Sequence, residues 1–218
     1  MIKIKNISKN YPNTKIFKNL NLEINSWNII SIVWPSWSWK STLLNLISGL
    51  DINFSWDIII DWKSIKKIKS DEKVTKFRWK NISFIFQDFN LIENLTVEEN
   101  IDLVIDINKI ERNYSTKKIL KLVWLENKNE EYPFNLSWWE KQRVAIARAF
   151  VWKNKLLLAD EPTWSLDLEN TKNISSLIKK LNKKTKNTIV LITHDREVAK
   201  IGDKIFELKD YNLIEKNA

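Results

Sequence analysis

The stretch Trp34 to Thr42 constrains this chain more than any other. It reads Trp34-Pro35-Ser36-Trp37-Ser38-Trp39-Lys40-Ser41-Thr42. It lies between an apolar run, Asn28-Ile29-Ile30-Ser31-Ile32-Val33, and an amphipathic run, Leu43-Leu44-Asn45-Leu46-Ile47. Strand, tight loop, Lys-Ser-Thr and helix is the layout of a phosphate-binding loop, G-x-x-x-x-G-K-[ST]. The spacing fits, but tryptophan stands at both required glycines (Trp34, Trp39) and again at Trp37. Such a loop wraps a polyphosphate in backbone N–H groups and needs residues without Cβ, free to take positive φ. An indole there fills the space meant for phosphate.

The other tryptophans follow the same rule. Apolar runs and periodicity predict strands at 2–8, 20–24, 28–33, 57–60, 81–86, 155–160, 187–193 and 203–208. Helices are expected at 40–48, 96–106, 115–123, 138–151, 169–183 and 195–200. The alternation argues a mostly parallel, helix-covered sheet, with a helical insertion over about 88–150. Lys/Asn-rich stretches at 63–80, 108–118 and 179–187 read as solvated surface. Core tryptophans belong inside these elements, yet Trp27, Trp56, Trp62 and Trp164 fall in turns or loops. Trp124 and Trp152 fall at helix ends, where a glycine is preferred. Trp138 and Trp139 open a helix, and Trp79 is the least clear case.

Composition points the same way. The chain has 2 glycines and 12 tryptophans in 218 residues, where average usage gives roughly fifteen glycines. Left-handed geometry costs a bulky residue about 1–2 kcal/mol, so several such sites consume much of a domain's typical ~5–15 kcal/mol. The pattern is the one produced when a UGA codon that means glycine is read as tryptophan. The Lys/Asn/Ile-rich composition fits an AT-rich genome, where UGA is common. The rival reading is a tryptophan-rich chain whose phosphate loop is dead.

The remaining bounds are simple. The length suits one domain, and 44% hydrophobic residues suffice for a sizeable core. No run of 18 apolar residues exists, so no spanning helix is expected, and Met1-Ile2-Lys3-Ile4-Lys5 reads as a strand and not a signal peptide. No cysteine is present, which excludes disulfides and cysteine metal sites. The net charge of +9 is spread over scattered lysines, so it reads as a solvated surface, and no nucleic acid is expected.

Chemistry concentrates in a few places. Lys40 is placed to meet β/γ-phosphates and the Ser41 hydroxyl to reach Mg²⁺. Leu156-Leu157-Leu158-Ala159-Asp160-Glu161-Pro162 is a buried strand ending in two carboxylates. Asp160 is expected beside Mg²⁺ and Glu161 beside the attacking water. Neighbouring strand residues point opposite ways, which separates the two roles. Alone, Asp-Glu-Pro reads equally as a turn closing a strand. Asn135-Leu136-Ser137-Trp138-Trp139-Glu140-Lys141-Gln142-Arg143 opens the helix Val144-Ala145-Ile146-Ala147-Arg148-Ala149. Ser137 is a good N-cap, and Ser-x-x-Glu is also an ordinary capping box.

With glycine read for tryptophan, the chain resembles the ATP-binding subunit of ABC transporters across nearly its whole length. The nearest likeness is to the lipoprotein-release, macrolide-export and FtsE-like group, through Phe86-Gln87-Asp88-Phe89-Asn90-Leu91 and Leu95-Thr96-Val97-Glu98-Glu99-Asn100. The resemblance implies an α/β P-loop NTPase (RecA-like) core over 1–87 and 151–218. It adds an antiparallel β subdomain and an inserted helical subdomain, 88–150. It makes Ser137, Trp138, Trp139 and Glu140 the signature aimed at a partner's ATP, Asp167 part of a dimer-crossing loop, and Tyr11 the ring on adenine. It makes Gln87 the residue that touches Mg²⁺ or water and couples to membrane subunits, and His194 the contact to the γ-phosphate. After Leu208-Lys209-Asp210 the family usually has glycine, and here Tyr211 stands in that turn. The implied protein is an ATPase in a head-to-tail dimer, cytoplasmic and peripheral on the inner face of the membrane, driving a separate permease. An FtsE-like role in a cell-division complex is the alternative, and a soluble translation or repair ATPase is disfavoured for want of a second cassette or coiled coil.

Overall fold

A computed structural model describes residues 1–11, 14–34, 40–51, 57–68 and 70–216. Its centre is set by three strands: β3 (Ile29–Val33), β7 (Leu156–Asp160) and β8 (Thr188–Thr193). β3 and β8 are buried at every position, and β7 at all but Asp160. Continuous apolar runs of this kind suit parallel strands covered on both faces. They form a six-stranded sheet in the order β10-β9-β3-β8-β7-β6, with β6 (Ile82–Ile85) at one edge. β9 (Lys204–Lys209) and β10 (Asn212–Lys216) close the other as an antiparallel hairpin. A second, antiparallel sheet has the order β2-β1-β4-β5: β1 (Ile2–Tyr11), β2 (Thr14–Ile24), β4 (Asp57–Ile60) and β5 (Lys63–Ser64).

Alternate residues of the parallel strands build two cores. Ile30, Ile32, Leu156, Leu158, Val190 and Ile192 face the antiparallel sheet, with α1 (Lys40–Ser48) packed among them. Ile29, Leu157, Ala159, Ile189 and Leu191 face a helical layer. That layer comprises α3 (Val97–Asn108), α4 (Thr116–Leu122), α5 (Trp138–Phe150), α6 (Leu168–Thr185) and the short α7 (Arg196–Ala199). A 3₁₀ turn at Pro133–Asn135 leads into α5.

Four elements depart from the sequence expectations: β5 and β10 form where no strand was expected, and two more differ as follows. The stretch expected as solvated surface contains α2 (Asp71–Asn81), started by Ser70, whose side chain accepts from the Lys73 N–H. Its buried Val74 and Phe77 are one helical turn apart, a stripe too narrow to stand out among lysines. β2 begins at Thr14 and not near residue 20, because its polar outer positions hide the alternation of Ile16, Leu20, Leu22 and Ile24.

Among the described residues three tryptophans adopt left-handed backbone: Trp27 (φ 74), Trp62 (φ 67) and Trp124 (φ 57). All three lie where the sequence pattern calls for glycine. Tyr211 does the same (φ 65) after Asp210 (φ 49), so both centre residues of the β9–β10 turn have positive φ, as a type I′ hairpin requires. Trp152 is buried to 2% exposure with its indole N–H unpaired. Trp56 lies outside the described residues.

Candidate active site at the carboxyl ends of the parallel strands

The strands β3, β8 and β7 end level with one another. Val33 pairs with Thr193, and Asp160 with Ile192. β6 runs beside β7, with Ile85 opposite Ala159. Whatever follows each strand is therefore gathered at one edge of the sheet, where open α/β sheets bind ligands.

Lys40, the first residue of α1, is buried there. Its Nζ lies 3.1 Å from Glu161 Oε1 and 3.8 Å from Asp160 Oδ1. Glu161 is itself buried and takes left-handed backbone (φ 45). Its carboxylate also accepts from the His194 backbone N–H (3.1 Å) and meets His194 Nδ1 at 2.9 Å. His194 is the residue directly after β8, and its ring is half-exposed, with the edge of Trp164 5.3 Å away between centroids. Asp160 and Glu161 were expected to point opposite ways. They do not: β7 ends at Asp160, the chain turns at Glu161, and both carboxylates reach the same ammonium.

Asp160 is the uncompensated member. Burial raises its pKa, opposed by Lys40 and reinforced by Glu161 and by Asp88 beyond β6. Its Oδ1 is buried without a hydrogen bond. A desolvated carboxylate oxygen with only a distant ammonium suits a divalent cation. Among the described residues no group of three or more His, Cys, Asp or Glu could hold a metal. A cation here therefore needs ligands that the protein's acids do not supply, as Mg²⁺ takes from phosphates and water.

The other expected residues are placed as follows. Ser41 is exposed and Thr42 buried on the first turn of α1. Gln87 sits half-buried just beyond β6. Tyr11 ends β1, two-fifths exposed, with Lys9 Nζ 5.2 Å above its ring. Ser137 caps α5 at the surface, its N–H and hydroxyl both donating to Glu140 (2.9 and 2.6 Å). Burial alone raises the Glu140 pKa, and these two bonds bring it below the usual range. Trp138 is exposed and Trp139 lies under the Arg143 guanidinium, 3.7 Å from the ring. Asp167 caps α6 at the surface, accepting from the Asn170 N–H, which holds its pKa low. Ser137, Trp138, Trp139, Glu140 and Asp167 thus stand on helix heads at the surface.

Pro35, Ser36, Trp37, Ser38 and Trp39 lie outside the described residues. Trp34 corrects the expectation of an indole in the cradle. Its ring turns into the core, 1% exposed and edge-on to Phe17 (6.3 Å), while its backbone N–H donates to the Thr193 carbonyl.

The ABC transporter family profile matches residues 17–164. The chain belongs to the ABC transporter family. This cassette is 40% identical to the ABC transporter ATP-binding protein MJ0796 of Methanocaldococcus jannaschii, over 96% of this chain and 94% of that one. It is 34% identical to the lipoprotein-releasing system ATP-binding protein LolD of Leptospira interrogans, over 99% and 95%. It is 36% identical to the macrolide export ATP-binding/permease protein MacB of Campylobacter fetus, covering 98% of this chain and 34% of MacB. The dimeric, post-hydrolysis structure of MJ0796 bound to ADP and Pi superposes with TM-score 0.85 at 37% identity, covering 100% of this chain and 98% of that one. The cassette is thus an ABC ATPase with mixed parallel and antiparallel sheets. Among its described residues no helix is long and apolar enough to cross a membrane.

Proposed function

We propose that the cassette is the ATP-hydrolysing subunit of an export or lipoprotein-release system, working as a head-to-tail pair beneath a separate permease. The observation that carries this reading is the gathering of Lys40 from the head of α1, Asp160 and Glu161 from the end of β7, and His194 from just after β8 at one end of the sheet. Lys40 exchanges its carboxylate partners for β/γ-phosphates. Ser41, Asp160 and Gln87 would hold Mg²⁺, which would supply positive charge to the phosphates. Glu161 orients the attacking water, and His194 fixes the Glu161 carboxylate from both its backbone and its ring. Tyr11 stacks on adenine. Ser137, Trp138, Trp139, Glu140 and Asp167 lie on exposed helix heads and complete the site of a second copy. Residues 88–150 move as the helical unit that passes this change to the permease, and the assembly sits on the inner face of the membrane.

Glycine is the residue this mechanism needs at 37 and 39, and the left-handed Trp27, Trp62 and Trp124 favour glycine at their own positions. Reading the twelve codons tests this, and UGG at all of them refutes it. The glycine-restored chain is expected to bind and hydrolyse Mg-ATP. Glu161→Gln should lower turnover about 100-fold or more while leaving binding intact, and unchanged turnover refutes the role of Glu161. Tight ATP binding by the tryptophan form overturns the steric argument.

A further inference from the structure

Arg148 has no part in the site described above. Its guanidinium reaches from α5 to the segment after β6, where Nη1 donates to the Asn90 carbonyl and Nη2 to the Phe89 carbonyl, each at 2.6 Å. Phe89 and Asn90 both have left-handed backbone (φ 60 and 48). Neither is glycine, so this conformation persists only where its surroundings impose it. The planar fork of arginine suits two neighbouring acceptors, which a lysine cannot match. Burial pulls the Arg148 pKa down to about 10, and the guanidinium is held by two backbone carbonyls.

The same segment is held from a second side. Asn100 on α3 is fully buried, accepts from the Ile92 N–H (2.8 Å) and donates to the Ile92 carbonyl (3.0 Å). Gln87 is therefore one end of a short segment whose middle is gripped by α5 and whose far end is gripped by α3.

Resting on the ATPase reading above, we infer that Arg148 is a positioning residue. Its paired bonds to Phe89 and Asn90 make α5 and the Gln87 segment move as one piece, so that engagement of the Ser137 end is transmitted to Gln87.

The test uses the full chain with Arg148→Met and Arg148→Lys, read by amide hydrogen exchange and by steady-state Mg-ATP kinetics of the glycine-restored form. Arg148→Met should speed exchange across residues 88–92 about 10-fold or more while β7 and β8 keep their protection. It should lower kcat about 10-fold with KM within about twofold. Arg148→Lys keeps the charge without the fork and should show both changes at smaller size, which preserves the test if the Met variant does not fold. The inference is overturned by unchanged exchange at 88–92, by an increase spread evenly over the chain, or by a Lys variant equal to the parent in both readouts. A parent that hydrolyses nothing refutes the ATPase reading alone, and the exchange experiment still decides the role of Arg148.

Discussion

Replacing Trp62 isolates the energetic cost of a bulky residue in glycine's place. Trp62 and Asp61 form the turn between β4 and β5, both with positive φ (67 and 47). The Asp61 carboxylate is tied to Lys155, and Asp61 N–H donates to the Met1 carbonyl, so the turn cannot relax freely. The left-handed backbone costs a bulky residue about 1–2 kcal/mol. The indole is 80% exposed, so little packing is lost with it. Glycine gives back about 0.4–1 kcal/mol through the entropy of the unfolded chain. Trp62→Gly is therefore expected to stabilise the fold by about 0.5–1 kcal/mol, a rise of about 1–4 °C in Tm for a chain of this size. Trp62→Ala removes the same indole but keeps the strain, and should fall about 1 kcal/mol below the glycine variant. Urea and thermal unfolding followed by circular dichroism measure both. An alanine variant as stable as the glycine variant refutes the reasoning. Trp27 and Trp124 should respond less, because Lys186 and Lys180 lie 5.1 and 5.8 Å over their rings, contacts worth about 0.5–1 kcal/mol. Buried Trp152 should reverse the sign, with glycine costing about 3–5 kcal/mol.

Two further outcomes are open to measurement. Burial raises the Asp160 pKa above its unfolded value, so the folded chain binds that proton more tightly and this group adds stability as pH falls through the folded pKa. Asp160→Asn should raise the urea midpoint at neutral pH and remove that acid-side gain, and an unaltered pH profile refutes the assignment. Gln142 is buried on α5 with both amide atoms unpaired. Gln142→Met should stabilise the chain by about 1 kcal/mol by removing two unsatisfied groups at similar volume, and a lower Tm shows that the amide has a partner.

The central sheet was legible because β3, β7 and β8 are uninterrupted apolar runs, which few other structures can bury. The residues gathered at the carboxyl ends of that sheet were legible because each closes or follows such a run: Asp160 closes β7, Glu161 comes next, and His194 follows Thr193. Their mutual arrangement was not. At the left-handed Glu161 the backbone N–H donates to the Ile192 carbonyl (2.9 Å), a partner distant in the chain. Arg148 left no signal as a functional residue, since its partners are backbone carbonyls, which every residue carries. α2 was hidden for a related reason: only Val74 and Phe77 mark its buried face apart from Asn81, and charged side chains cover the rest.

The grip of two carboxylates on Lys40 turns nucleotide capture into a trade of counter-ions. A polyphosphate that draws the ammonium away leaves Asp160 and Glu161 facing a polyanion of their own sign. On the function proposed above, bare ATP would meet that repulsion in full, whereas the magnesium complex would bring a replacement cation for the acids it dispossesses. Discrimination between metal-loaded and metal-free nucleotide would then be built into the resting charge balance, before any phosphate is positioned.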